Sequence, residues 1–258
     1  NKFEFRAVGS SANSAAPMTV LNTIVADQLI KFRKEVEEIL EKGVKKELAI
    51  MEVLKRYVKE SKNIRFEGNG YSDEWVEEAA RRGLSNLKTT PEALAVYARP
   101  ESIELFTKHG IYSKEEMHAR HEIELENYVK KIQIESRVIG DMAINHIVST
   151  SLKYQTQLVE NVKGQKEIGI DPQYYAPTIE MIKKISEYTS SIVRLQNEMT
   201  EARKEANNVD DLEERAVLYS TKVKGYFEEI RYSVDKLELI IDDDEWPLPK
   251  YRELLLIK

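Results

Sequence analysis

Apolar positions recur at helical spacing along most of the chain. After Pro17, a residue suited to a first helical turn, Val20, Leu21, Ile24, Val25, Leu29, Phe32, Val36 and Ile39 fall on one helix, which ends at Gly43 as a C-cap. Leu48, Met51, Leu54 and Val58 form the stripe of a second helix, so the pair reads as an αα-hairpin turning at Gly43. From about Ile64 to Tyr112 the pattern breaks into short pieces. These are an extended segment at Ile64–Glu67, a turn at Gly68-Asn69-Gly70, and a short helix from Asp73 to Gly83 with Arg81-Arg82 in its last turn. A helix start at Thr90-Pro91-Glu92 and a break at Pro100 follow.

From Ser113 the pattern lengthens. Ser113-Lys114-Glu115-Glu116 is a capping box. Leu125, Tyr128, Ile132, Ile139 and Ala143 then stripe a helix running to about Asn161, ~70 Å long at 1.5 Å per residue, with Gly140 as a place to bend. A connector from Gly164 to Pro177 is followed by a helix that Pro177 opens, carrying Ile182, Ile185, Ile192 and Met199. The clearest periodicity comes last. Leu212, Ala216, Tyr219, Val223, Tyr226, Ile230, Ser233, Leu237 and Ile240 alternate steps of four and three, a heptad seam that requires close packing on neighbouring helices. The expectation is a mainly α fold built on an antiparallel bundle of long helices, four-membered with an earlier helix. The irregular stretch is 64–112, the bundle 113–241, and the tail 242–258, where Trp246-Pro247-Leu248-Pro249 forbids further helix.

The first six residues stand apart. Asn1-Lys2-Phe3-Glu4-Phe5-Arg6 alternates polar and aromatic residues, so an extended strand places Lys2, Glu4 and Arg6 on one face. One carboxylate between two cations suits a metal-phosphate site, although spacing alone fits an ordinary amphipathic strand better.

Composition narrows the classes. The chain has 258 residues, 41% hydrophobic and 33% charged, enough to bury a core beneath a heavily solvated surface. A net charge of -6 argues against nucleic acid as the main partner. No stretch approaches the ~20 apolar residues of a membrane-spanning helix. The absence of cysteine excludes disulfides, thiolate metal sites and a Cys nucleophile. The sequence begins inside what reads as a strand, with neither Met nor a leader pattern, as a piece of a longer protein would.

Other candidate chemistry is sparse. His118 and His121 lie three apart near Glu115 and Glu122, and Glu115-x-x-His118 matches one half of a carboxylate-bridged di-iron unit. No second copy exists, so solvated or core histidines are the better reading. The acidic run Asp242 to Glu245 could take a cation or a basic partner, but reads more simply as a solvated helix end. Gly68-Asn69-Gly70 lacks the Lys-Ser/Thr of a phosphate-binding loop and reads as a plain turn.

Several longer motifs carry a resemblance. Asn1 to Asn13 with Pro17 to Ile24 resembles the last catalytic strand and following helix of type III glutamine synthetases. Gly70-Tyr71-Ser72-Asp73-Glu74-Trp75-Val76, Gly83 to Thr90, Asp235 to Leu239 and Trp246 to Leu255 are similar to that family's C-terminal region. The resemblance implies a short N-terminal strand left from an α+β catalytic domain ending near residue 43, then a helical C-terminal domain over 44–258. It implies a parent enzyme that uses ATP and Mg or Mn ions to join ammonia to glutamate, assembled as a cytoplasmic homo-oligomer, a dodecamer in the family. On the matching strand Glu4 would be the metal ligand, Lys2 the nucleotide-side cation, and Arg6 the catalytic cation facing phosphate or glutamate. Because the other metal carboxylates are missing from this sequence, residues 1–258 by themselves are expected to be inactive. The alternative is a free-standing helical scaffold that binds a protein partner.

Overall fold

The computed structural model describes residues 13–255, with the side chain of residue 251 excepted. Every regular element among these residues is helical. The chain divides into two compact units, one holding the residues up to Lys88 with Glu92–His121, the other Thr89–Pro91 with everything from Glu122 onward.

The first unit opens with α1 (Ala15–Leu40) and α2 (Lys46–Glu60), joined through Gly43 in the left-handed region as expected (φ 80). Their shared core is Val36, Ala49 and Val53, with Phe32, Ile39, Ile50 and Tyr57 packed around it. The rings of Phe32 and Tyr57 meet edge to face at 5.9 Å. The buried face of α2 is not the expected one. Leu48, Met51, Leu54 and Val58 are all exposed, whereas Ala49 and Val53 are fully buried. α2 carries apolar residues on two faces, and the small Ala49 and branched Val53 permit the closer approach to α1.

Short elements follow: a 3₁₀ turn at Ser61–Ile64, α3 (Asp73–Arg81), α4 (Thr90–Leu94), a 3₁₀ turn at Ala95–Ala98, and α5 (Pro100–Lys108). The expected extended segment starts as 3₁₀ at Ile64, and Arg65 after it takes extended angles. Phe66 stacks on Trp75 at 3.8 Å, and the Arg82 guanidinium lies 5.4 Å from the Trp75 ring.

The second unit is an antiparallel bundle of three long helical runs, not the four expected. The first is α6 (Lys114–Asp141), which begins in the first unit, a π-helical segment Met142–Val148, and α7 (Ser149–Glu167). The second is α8 (Pro172–Asn207). The third is α9 (Leu212–Leu218), a π segment Tyr219–Val223, and α10 (Gly225–Glu238), followed by the short α11 (Tyr251–Leu254). The heptad seam holds: Ala216, Tyr219, Val223, Ile230 and Leu237 are fully buried against α8 and the first run.

Two boundaries differ in detail from the pattern. Gly164 lies inside α7, and Gly169 (φ 77) closes it: Ile170 N–H donates to the Gln165 carbonyl and Gly169 N–H to that of Lys166. α8 opens at Pro172, not Pro177, because Asp171 caps it by accepting from Gln173 N–H at 2.9 Å. Pro177 is left within the second turn, near enough to the start for the helix to absorb it. Gly140 does mark a distortion, since the π segment begins two residues later. It also permits close packing: a Cβ there would lie 3.3 Å from Gln196 Nε2.

Candidate functional site

Lys2, Glu4 and Arg6, expected on a strand, lie outside the described residues. The remaining candidates can be placed.

His118 is exposed and His121 is buried, so one turn of α6 sends them to different surroundings. Glu115 stays near the helix start, its carboxylate held below the ordinary range by backbone N–H donation and by the Ser113 hydroxyl. The capping box is present in both directions: Ser113 N–H donates to Glu116 at 2.7 Å, and Glu116 N–H to the Ser113 hydroxyl at 3.2 Å. Among the described residues no group of three or more His, Asp or Glu side chains is arranged to hold a metal ion. Gly68-Asn69-Gly70 is a turn in which Asn69 Oδ1 accepts from Tyr71 N–H, and Ser72 then caps α3.

The acidic run after α10 is used internally. Asp243 pairs with Lys250 at 2.6 Å and with Arg252. Glu245 accepts from Gln157 of α7, and Asp242 accepts from Asp244 N–H. The Lys250 ammonium is buried and also donates to the carbonyls of Glu238 and Ile241, both at 2.9 Å. It thus satisfies acceptors left open where α10 ends, the cation at a helix C-terminus that the dipole favours.

A second cluster was not legible in the sequence. Asp27 is buried on α1 and is met by Lys31 at 2.7 Å, Lys108 at 2.7 Å and His109 at 2.8 Å. Hydrogen bonds from Lys108, Lys31 and His109 hold its carboxyl far below the ordinary range. Asp27 and Lys108 are 81 positions apart, and no local pattern pairs them. The cluster ties α1 to the end of α5. All three partners converge on one carboxylate, which makes the cluster a fastening.

The third polar cluster is in the bundle. Tyr219, fully buried in the second π segment, donates its hydroxyl to Asn207 at 2.8 Å and also bonds Gln133. Burial pushes its phenol above the usual value, partly offset by Arg203, Gln133, Asn207 and Arg137. Arg203 donates weakly to Ser136 at 3.4 Å. No nucleophile–base pair accompanies these groups, and their geometry is that of a buried network fixing the register of three helices.

The described residues therefore form two helical units with internal fastenings, and no catalytic constellation is assembled among them. Comparison with known proteins agrees with that class. The family description "Glutamine synthetase C-terminal domain" matches residues 49–166. A glutamine synthetase of Bacteroides fragilis (strain YCH46) is 48% identical across 100% of this chain, which covers 36% of that relative. One from Butyrivibrio fibrisolvens is 33% identical over 99% of the chain and 36% of its own length. A type-3 glutamine synthetase of Dictyostelium discoideum is 31% identical over 100% of the chain and 35% of its own length. The chain thus spans about a third of the length of the curated relatives it matches. Over its whole length the chain is similar to glutamine synthetases, and residues 49–166 match their C-terminal domain.

Proposed function

We propose that this chain is the C-terminal support of an ATP-dependent glutamate–ammonia ligase. The observation that carries the reading is the 48% identity to a glutamine synthetase over the whole chain. In this reading residues 1–43 complete the catalytic domain, residues 44–258 form the appended helical domain, and the α1–α2 hairpin spans the join. The parent enzyme is cytoplasmic and homo-oligomeric. No described helix is long and apolar enough to cross a membrane.

Catalysis belongs to residues outside the described helices. Glu4 would supply one carboxylate to a Mg or Mn ion, Lys2 would neutralise charge on the nucleotide side, and Arg6 would serve glutamate or the transferred phosphate. A bound ATP–metal pair supplies the phosphoryl group that activates the glutamate carboxylate for attack by ammonia. The chain's own contribution is charge placement, which dominates phosphoryl transfer.

The test uses the longer protein and this chain in parallel, measuring ATP- and metal-dependent glutamine formation. The longer protein is expected to be active, its Glu4→Ala variant to lose on the order of 100-fold or more, and residues 1–258 by themselves to be inactive. Full activity of the Glu4→Ala variant would remove the proposed metal role. Activity of the 258-residue chain would remove the support role.

A further inference from the structure

The amphipathy of the first half of α1 is inverted. Its buried positions are polar, Thr23 and Asp27, with Asp27 committed to Lys31, Lys108 and His109. Half-buried Val20 shares their face, but three apolar residues point the other way: Met18 is 55% exposed, Val25 53% and Leu29 61%. These fall at steps of seven and four, on one stripe of the helix. A surface helix packed on a globular core ordinarily places those two faces in the opposite order. In the second half of the same helix the order is normal, with Val36 buried against α2. The inversion is therefore local, and the ion cluster at Asp27 locks it by fixing which face of α1 turns inward.

We infer that the Met18–Val25–Leu29 stripe is a docking surface for the part of the glutamine synthetase polypeptide that the relatives carry beyond this chain. This rests on the functional reading above. The occupant follows from length: the matched relatives extend well beyond the 36% that the chain covers, so the larger part of each has no counterpart here. The surface is apolar and its neighbours on α1 at the same level are Ala26 and Gln28, so the fitting partner is an apolar face of the same polypeptide.

The absence of cysteine in this chain allows a direct test. Val25→Cys and Leu29→Cys are made singly in the 258-residue chain and in the longer protein. The maleimide reaction rate at each new thiol is read by peptide mass spectrometry and normalised to the same protein in denaturant. The expected result is fast labelling in the 258-residue chain and labelling at least about tenfold slower in the longer protein, independent of protein concentration. Equal rates in the two proteins would overturn the inference. So would slow labelling already present in the 258-residue chain, or protection that disappears when the longer protein is diluted to monomers, which would assign the surface to a second copy. Glutamine formation by the longer protein is measured on the same samples. Protection in an inactive protein would sink the enzyme reading and leave the surface standing, whereas activity without protection would do the reverse.

Discussion

Lys250 lies 2.6 Å from Asp243, but its ammonium spends two further hydrogen bonds on the Glu238 and Ile241 carbonyls. The ion pair is the replaceable part of this contact and the carbonyl bonds are not. Asp243 is half-exposed, and exposed pairs contribute little, about 0–1 kcal/mol. Lys250→Ala should destabilise the protein by about 1–3 kcal/mol, because it strands buried acceptors, while Asp243→Asn should cost less than about 1 kcal/mol. Chemical denaturation of both variants checks the order. An equal loss in the two would mean that the ion pair matters most.

The Asp27 cluster predicts an acid limit. Its folded carboxyl titrates well below the ordinary unfolded value of 3.8. A depressed carboxylate contributes stability that is present above the unfolded value and is lost as pH falls through the folded one. Wild type should therefore lose its advantage over Asp27→Asn progressively below pH 3.8, and keep it in full at neutral pH. Thermal unfolding of the pair between pH 7 and pH 3 is the measurement, and parallel curves would show that the cluster does not couple to folding.

Tyr219→Phe removes a buried hydroxyl and leaves Asn207 and Gln133 short of a partner. A loss of about 1–2 kcal/mol is expected. The phenol is raised by burial, so its contribution is intact below the unfolded pKa of about 10 and falls as pH rises beyond it. The gap between wild type and the Phe variant should thus narrow in alkali, as unfolding curves at rising pH would report.

Gly140 faces Gln196 and Met199 of α8. For Gly140→Ala, the helical preference for Ala is worth up to about 1 kcal/mol. The nearest atom, 3.3 Å from the added Cβ, is the tip of a flexible glutamine and can give way. The Ala variant should therefore be neutral or slightly more stable. Gly140→Leu should lose about 1–3 kcal/mol by overpacking. A drop in melting temperature for Ala comparable with that for Leu would mean that the two helices cannot separate at all.

What the sequence made legible was periodic or local. The seam from Ala216 to Leu237, the Ser113 capping box and the Gly43 turn depend on neighbours within a few positions, and all are present. The wrong face of α2 shows the limit of that signal. Leu48, Met51, Leu54 and Val58 keep helical spacing as well as Ala49 and Val53 do, and only the approach of α1 decides between them. The Asp27 and Lys250 contacts were invisible for a related reason: a charged residue paired at long range carries no local mark. Of the candidate site, Lys2, Glu4 and Arg6 were readable only through resemblance.

The two π segments bear on how such chains change length over generations. A residue lost from an ordinary α-helix turns everything after it by about 100°, which would carry Ile230 and Leu237 out of the seam if it happened in α9. A wide turn already holds surplus backbone. One residue removed within Tyr219–Val223 could be absorbed by tightening that turn to α geometry, with the positions on either side staying in phase. Among the described residues this chain therefore has two places, Met142–Val148 and Tyr219–Val223, where a single-residue deletion inside a long helix can be absorbed without undoing the bundle.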